Sequence, residues 1–487
     1  MQETRSTEQN RWPAFIVCIA VAIATILDLA KVNVAIAPIE TTLGASSSEA
    51  QLIVAGYILA FGICLVPAGR LGDIWNRKAM FVIGLSVYVT ASLACMLAPT
   101  SGVLVLSRLL QGVAAGILMP QVIGLIQNLF QGKERGSAFG IFGAAIGLGT
   151  AFGPTIGGLF IGAFGDEWGW RWIFGMNVPI GLVILPFAIW LLPGRQRHNS
   201  SNDLDLPGVF LMAGTVLLIM LPFVLTTGTS ADSPARWWML LGAVAFAVAF
   251  YLWERRYVRA GKSPVIDFTL FQHPSYRYGV IFTSLFFAIM PPMFFLMTLF
   301  NQQGLGHEAV VVGMITIPYA IISAIISAFA GRYTYRHAAS MVLIGVSLFT
   351  LALVALALLS AFADGATMPI LMAIVLAAAG VAPGMVMPAN QMRTVKDVPL
   401  ESAGVAGSFM QVGQRLGNAM GIAIGTSIYF ALSNEGTETA YRSAFSWAMV
   451  FVIGVAVVAV IIAALDFAAH RRSTRAIGGR DAAGGLD

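Results

Sequence analysis

Apolar residues run along this chain in long blocks separated by short charged or Pro/Gly-rich breaks. The blocks fall at residues 14–38, 50–69, 79–98, 102–129, 137–163, 172–192, 206–226, 237–253, 279–300, 309–331, 340–362, 368–389, 403–431 and 443–467. A helix rising about 1.5 Å per residue needs roughly 20 residues to cross ~30 Å of hydrocarbon. Each block is therefore read as one spanning helix, fourteen in all. Composition agrees: 58% of residues are hydrophobic and only 10% charged, with a mean hydropathy of +0.82, whereas soluble chains carry about 25% charged residues. The pattern predicts an all-α polytopic membrane protein.

An even number of crossings puts both termini on one side, and Lys/Arg placement selects which side. With cytoplasmic termini, 22 of the 28 basic residues fall in cytoplasmic segments, including "ERRYVRAGK" and "HRRSTR". Arg171, Arg236 and Arg442 lie on the outer side, and Lys31, Arg108 and Arg415 lie inside spans. The expected location is the cell membrane. Positive-inside loops facing anionic lipid account for the basic balance without a nucleic-acid partner. Asn199-Ser200-Ser201 fits a glycosylation sequon, but in the cytoplasm it would stay unmodified. The N-terminus is polar for twelve residues and has no small-residue cleavage site before Asp28, so it reads as an uncleaved first helix.

The order of blocks suggests two six-helix bundles, residues 1–196 and 279–487, with two inserted helices and a linker at 197–278. Gly149, Gly153 and Gly157 in the fifth block form a GxxxGxxxG ladder. Gly417, Gly421 and Gly425 repeat it in the thirteenth, the fifth of the last six. Small residues at this spacing also serve ordinary helix packing, so the ladders alone do not prove a repeat. Repeated halves around a central site are nonetheless how transporters alternate access.

Nothing here calls for an enzyme, cofactor or metal. Cys18, Cys64 and Cys95 lie inside apolar blocks and form no disulfide framework. The five histidines sit in hydrophilic connections. His307-Glu308 starts an HExxH pattern that Val311 interrupts, and the P-loop-like Gly261-Lys262-Ser263 has Arg256 where its first glycine belongs.

One feature does call for chemistry. Counting from Ala14, Asp28 lies about 21 Å along a helix of about 37 Å, and Lys31 shares its face at i+3. Every other acid is expected in a loop, a terminus or, for Asp466, at a helix edge. A central charge costs at least ~2.5–3.5 kcal/mol to insert and by default marks function. Burial disfavours the charged carboxylate and a neighbouring cation favours it; the pair is either poised to exchange a proton or a silent structural ion pair. Arg108 with Gln111, and Arg415 with Gln411 and Gln414, are candidates to complete a polar path.

Four stretches, in order, resemble the major facilitator superfamily. "GRLGDIWNRK" (69–78) is similar to its GxLxDxxGRK loop, matching at Gly69, Leu71, Asp73, Arg77 and Lys78. "RLLQG" (108–112) resembles its fourth-helix RxxQG motif. "GTAFGPTIGG" (149–158) resembles the fifth-helix GxxxGPxxGG motif of its antiporters. "ATILDLAKVNVAIAP" (24–38) is similar to the LDxTIVNVALP signature of the fourteen-span drug:proton antiporter branch, matching at Leu27, Asp28, Val32, Asn33, Val34 and Ala35. Asn76 replaces the loop glycine, and is tolerated if left-handed there. Ala30 and Lys31 replace Thr and Ile of the signature.

The resemblance implies that Asp28 couples protons to transport; Lys31, sharing its face at i+3, and Arg108 are read as its partners in that coupling. It implies that Gly69, Asp73, Arg77 and Lys78 latch a cytoplasmic gate, and that Gly149, Gly153, Pro154, Gly157 and Gly158 seal the outer side. Interfacial anchoring and plain helix packing are the bland alternatives for the last two. Asn33, Gln111, Gln121, Met293, Phe294, Gln411 and Arg415 are candidates for the substrate cavity, the ninth block contributing polarizable side chains that suit varied apolar ligands. Three buried cations against one acid favour neutral, zwitterionic or anionic amphiphiles over cations. The expectation is a monomeric proton-coupled exporter of hydrophobic small molecules, its partners being substrate, protons and lipid. A proton symporter for uptake, or a transport-inactive sensor or scaffold of the same fold, are the rivals.

Overall fold

The computed structural model describes residues 2–194, 205–225, 233–262, 264–266, 268–363, 367–399, 402–433 and 436–483. His198 and the sequon at Asn199-Ser200-Ser201 lie outside them, as does Ser263 of the P-loop-like stretch. Among the described residues every regular element is helical and no strand occurs.

The chain divides into two compact units. Unit 1 comprises residues 1–131, 144–267 and 399–419. It holds α1 (Gln2–Leu43), α2 (Ser47–Ile74), α3 (Arg77–Met96), α4 (Ser101–Leu129), most of α5 (Gly132–Gly175), α6 (Asn177–Leu191), α7 (Leu206–Val224) and α8 (Met239–Arg259). Unit 2 comprises residues 132–143, 268–398 and 420–487. It holds α9 (Pro274–Leu299), α10 (Ala309–Phe362), α11 (Met368–Ala379), α12 (Val381–Thr394) and α14 (Glu438–Ala483). Residues 403–419 of α13 (Ala403–Leu432) belong to unit 1 and its remainder to unit 2.

Eleven helical stretches among the described residues are long and apolar enough to cross a membrane. Two of them, Gly132–Leu191 and Val311–Phe362, each carry two predicted blocks. The first breaks at Gly165, whose φ of +72° is a left-handed conformation that glycine adopts freely; the second breaks at His337. α13 carries a further block but is not among the eleven.

Short polar residues set the helix starts. Ser46 and Glu49 form a reciprocal capping box at α2, and Thr100 caps α4 by accepting from Val103 N at 3.3 Å. Asn76 does not use the left-handed conformation expected for a loop-glycine replacement. Its backbone is extended and its Oδ1 accepts from Ala79 N at 3.2 Å, capping α3; a side chain able to cap an orphan amide suits the position without φ > 0. Two of the predicted outer basic residues finish helices. Arg171 Nη1 donates to Met96 O and Ala98 O, both at 2.9 Å, and Arg442 Nη1 donates to Ser360 O and Ala363 O at 2.8 and 3.0 Å.

Glycines let backbones approach. In unit 1 a Cβ on Gly116 would stand 2.7 Å from Phe61 O, and one on Gly112 would strike Tyr57 O, so α4 lies directly on α2. In unit 2 Gly136 and Gly140 of α5 meet Gly331 and Ser327 of α10, with Ser327 Oγ donating to Gly140 O at 2.8 Å. The second predicted ladder packs on α9: Gly421 faces Ala288 and Pro292, and Gly425 faces Leu296. Around α9 a core of Phe286, Met293, Met297, Phe300, Phe349 and Met449 fills unit 2.

Candidate functional site

Unit 1 encloses a charged cluster built from five helices. Asp28 and Lys31 on α1 are paired at 3.1 Å, as their i,i+3 spacing allows. Arg108 on α4 donates from Nη1 to Asp28 Oδ2 at 2.6 Å and to Gln111 Oε1 at 2.7 Å, and from Nε to Ile53 O at 3.0 Å. Asn177, at the start of α6, completes a ring. Its Nδ2 donates to Asp28 Oδ1 at 2.8 Å, and its Oδ1 accepts from Lys31 Nζ at 2.7 Å. Ser92 Oγ on α3 accepts from Gln111 Nε2 at 2.8 Å and Asn177 Nδ2 at 3.3 Å.

The cluster is closed. Asp28, Lys31, Arg108 and Gln111 each have 0% exposure, so no water touches the carboxylate in this conformation. Aromatic rings form part of the wall: the Arg108 guanidinium lies 4.3 Å from the Tyr57 ring centroid and 5.4 Å from that of Phe174. One carboxylate against two cations leaves a formal +1 when all three are ionised.

The α5 glycines bear directly on this cluster. A Cβ on Gly153 would collide with Ala30 Cβ and stand 3.0 Å from Lys31 N, and one on Gly157 would stand 2.9 Å from Lys31 O. Gly149 meets Ile23 and Ile26 at ordinary contact distance. The ladder thus clasps the α1 segment that carries Lys31. Pro154 and Gly158 are exposed, and Gly158 has open space around it.

At the 69–78 loop, Asp73 acts as a cap supplied from another helix. Its Oδ1 accepts from Arg77 Nη2 at 2.8 Å and from Gly404 N at 3.1 Å, and its Oδ2 accepts from Val405 N at 3.0 Å. Gly404 and Val405 open α13, where unsatisfied amides and the helix dipole favour an anion. Gly69 permits the approach, since a Cβ there would run into Ser408 Oγ and stand 2.8 Å from Gly404 O. Arg77 is fixed further through Nη1 to Gly124 O at 3.2 Å. Lys78 is half-buried beside it.

The remaining predicted positions scatter. Gln121 is fully buried between α4 and α2, its Nε2 donating to Ala68 O at 2.9 Å, next to Gly72. Asn33 is exposed. Met293 lies in the core of unit 2, and Phe294 packs edge-on to Tyr319 at 4.8 Å. Gln411 and Arg415 are buried in unit 1.

Sequence reasoning missed Asn177, although a lone asparagine inside an apolar block was signal enough. It also misplaced Glu254. That residue was expected in the loop after the eighth block, but α8 continues to Arg259 because its charged end is still helix-compatible. Glu254 is fully buried, and its Oε1 accepts from Val265 N at 3.2 Å.

Helices of this length and apolarity define a multi-pass membrane protein. The sequence profile of the Major Facilitator Superfamily matches residues 15–422, and the chain belongs to that superfamily of transporters. It is 32% identical over 428 residues to the "Probable actinorhodin transporter" of Streptomyces coelicolor (strain ATCC BAA-471 / A3(2) / M145), covering 87% of this chain and 73% of that one. It is 30% identical over 473 residues to the puromycin resistance protein pur8 of Streptomyces alboniger, covering 94% and 91%. Among solved structures, the human organic anion transporter MFSD10 (TETRAN) matches 92% of this chain and 99% of its own, with a TM-score of 0.63 and 14% identity. Identity that low speaks to the fold alone.

Proposed function

We propose that the chain is a proton-coupled antiporter that exports hydrophobic small molecules through the cell membrane by alternating access. In this reading it has fourteen crossings, cytoplasmic termini, two six-helix bundles flanking an inserted pair, and acts as a monomer. The observation that carries it is the Asp28 carboxylate held between Lys31 and Arg108. A proton on Asp28 removes the only negative charge joining two cations on different helices. Leaving a buried charge uncompensated costs roughly 3–5 kcal/mol, against about 5.5 kcal/mol to drive a two-state population from 1:99 to 99:1. Proton binding is thus of the right size to favour a second conformation. The names of the relatives, an actinorhodin transporter and a puromycin resistance protein, support a small-molecule substrate and, for the second, a role in resistance that export would explain.

The complete enclosure of Asp28 favours one other reading, in which the cluster only fastens α1, α4 and α6 together. Proton flux separates the two. In proteoliposomes with an imposed pH gradient, substrate from a panel of anionic, neutral and cationic dyes should trigger proton movement, and dye export should stop when the gradient is collapsed. Absence of any substrate-triggered flux across the panel would reject the antiporter and leave the fastening role.

A further inference from the structure

Four basic side chains are buried among the described residues: Lys31, Arg108, Arg393 and Arg415. Lys31 and Arg108 flank Asp28, and Arg393 pairs two-pronged with Asp466. Arg415 has no carboxylate beside it. It lies in the part of α13 that belongs to unit 1, is 9% exposed, and its Nε is buried without a hydrogen-bond partner. Its guanidinium rests over the face of Phe61, 4.3 Å from the ring centroid. One turn earlier on the same helix face, Gln411 is 2% exposed and its Nε2 is likewise unpartnered.

Two buried donor groups on one face, one of them charged, cost free energy until an acceptor arrives. The acceptor that satisfies both is an anion, and a guanidinium fork fits a planar carboxylate through two parallel N–H bonds. The adjoining packing is apolar and aromatic: Phe61 is buried and meets the ring of Tyr57 edge-on at 6.0 Å. We propose that Arg415 and Gln411 anchor a hydrophobic monoanion, a carboxylate or phenolate carried on an apolar body, and that exported substrates belong to this class. The proposal deepens the export reading above and rests on it.

The test is equilibrium binding to purified protein in phosphatidylcholine nanodiscs, which hold no anionic lipid. The probes are anthraquinone-2-carboxylate and its methyl ester. The wild-type protein should bind the acid about tenfold or more tighter than the ester, one good charge-assisted contact's worth. Arg415→Gln should weaken the acid by a similar factor and leave the ester within about twofold. Arg415→Lys, which keeps the charge and loses the fork, should retain an intermediate preference. Gln411→Leu should weaken the acid several-fold. Equal binding of acid and ester by the wild type, no acid binding, or an undiminished preference in Arg415→Gln overturns the proposal. If Arg415→Gln does not fold, an undiminished preference in both Arg415→Lys and Gln411→Leu overturns it equally. No proton gradient is applied, so the two readings fail separately. Acid preference without proton-driven efflux refutes the antiporter and keeps the anchor, whereas equal efflux of acid and ester refutes the anchor and keeps the antiporter.

Discussion

Asp28→Asn alone should damage the fold, and adding Lys31→Ile should repair it. The wild-type cluster holds one acid and two cations with no exposed surface. Asp28→Asn keeps the volume but raises the formal charge from +1 to +2, with Lys31 and Arg108 both facing a neutral amide. Removing one partner of a buried pair costs roughly 3–5 kcal/mol, a large fraction of the stability of an ordinary domain. Lys31→Ile in that background returns the charge to +1, carried by Arg108. Arg108 still donates to Ile53 O and Gln111 Oε1. The coupling between the two substitutions should therefore reach about 1–3 kcal/mol, as expected for residues in one network. Thermal unfolding in detergent, followed by intrinsic fluorescence, measures it. A single variant as stable as wild type, or a double variant no better than the single, would refute the charge argument. The folded double variant then serves the functional question, because it lacks a proton-binding group at position 28. It should carry no proton-driven efflux. Full uphill export by that variant would show that coupling resides elsewhere.

Four further outcomes follow from the same geometry. Lys31→Ile alone leaves Asp28 paired to Arg108 and Asn177, so the protein should fold normally and extend its substrate range toward cations; an unchanged growth-inhibition profile across anionic, neutral and cationic compounds counts against selectivity at Lys31. Asn177→Leu strips one bond each from Asp28 and Lys31 and should cost about 1–3 kcal/mol in thermal unfolding, an effect too small to detect being the contrary result. Gly153→Leu cannot avoid the Ala30 and Lys31 backbone; transport should be lost while surface expression persists, and retained transport removes α5 from the mechanism. Asp73→Asn weakens the cap on α13, so a cysteine placed at the buried Ser408 should react faster with a maleimide than in the Asp73 background, and equal rates would show that the cap holds nothing shut.

What the sequence disclosed tracks how local each signal was. Spans were legible because a twenty-residue apolar run is a one-dimensional property. The Asp28–Lys31 contact was legible because i,i+3 spacing brings it together on any helix. Arg108 was nominated as a charge inside an apolar block, but that its guanidinium reaches Asp28 depends on α4 packing beside α1, a tertiary fact. Asn177 lies 149 positions from Asp28, and no periodicity links them. Glu254 was misplaced because hydropathy marks where an apolar run ends, whereas helix propensity decides where the helix ends. The glycine ladder was seen as a packing face, but its partner could not be read: spacing shows that a helix is smooth, not which backbone lies against it.

The arrangement of neutral acceptors around the cluster bears on whether its charge can change at all. A cation whose only partner was Asp28 would be stranded by protonation, and the carboxylate would in effect be locked ionised. Neither cation is in that position. Lys31 keeps Asn177 Oδ1, and Arg108 keeps Ile53 O and Gln111 Oε1. Each ammonium or guanidinium therefore keeps part of its coordination when the carboxylate is neutralised, which puts the penalty at the lower end of the roughly 3–5 kcal/mol of a broken buried pair. Arg108 keeps acceptors on α2 and α4, off the α1 helix that carries Asp28, whereas Lys31 moves with α1. In the proposed cycle, protonation of Asp28 would therefore leave Arg108 coordinated and make Lys31 the cation that has to find a new partner.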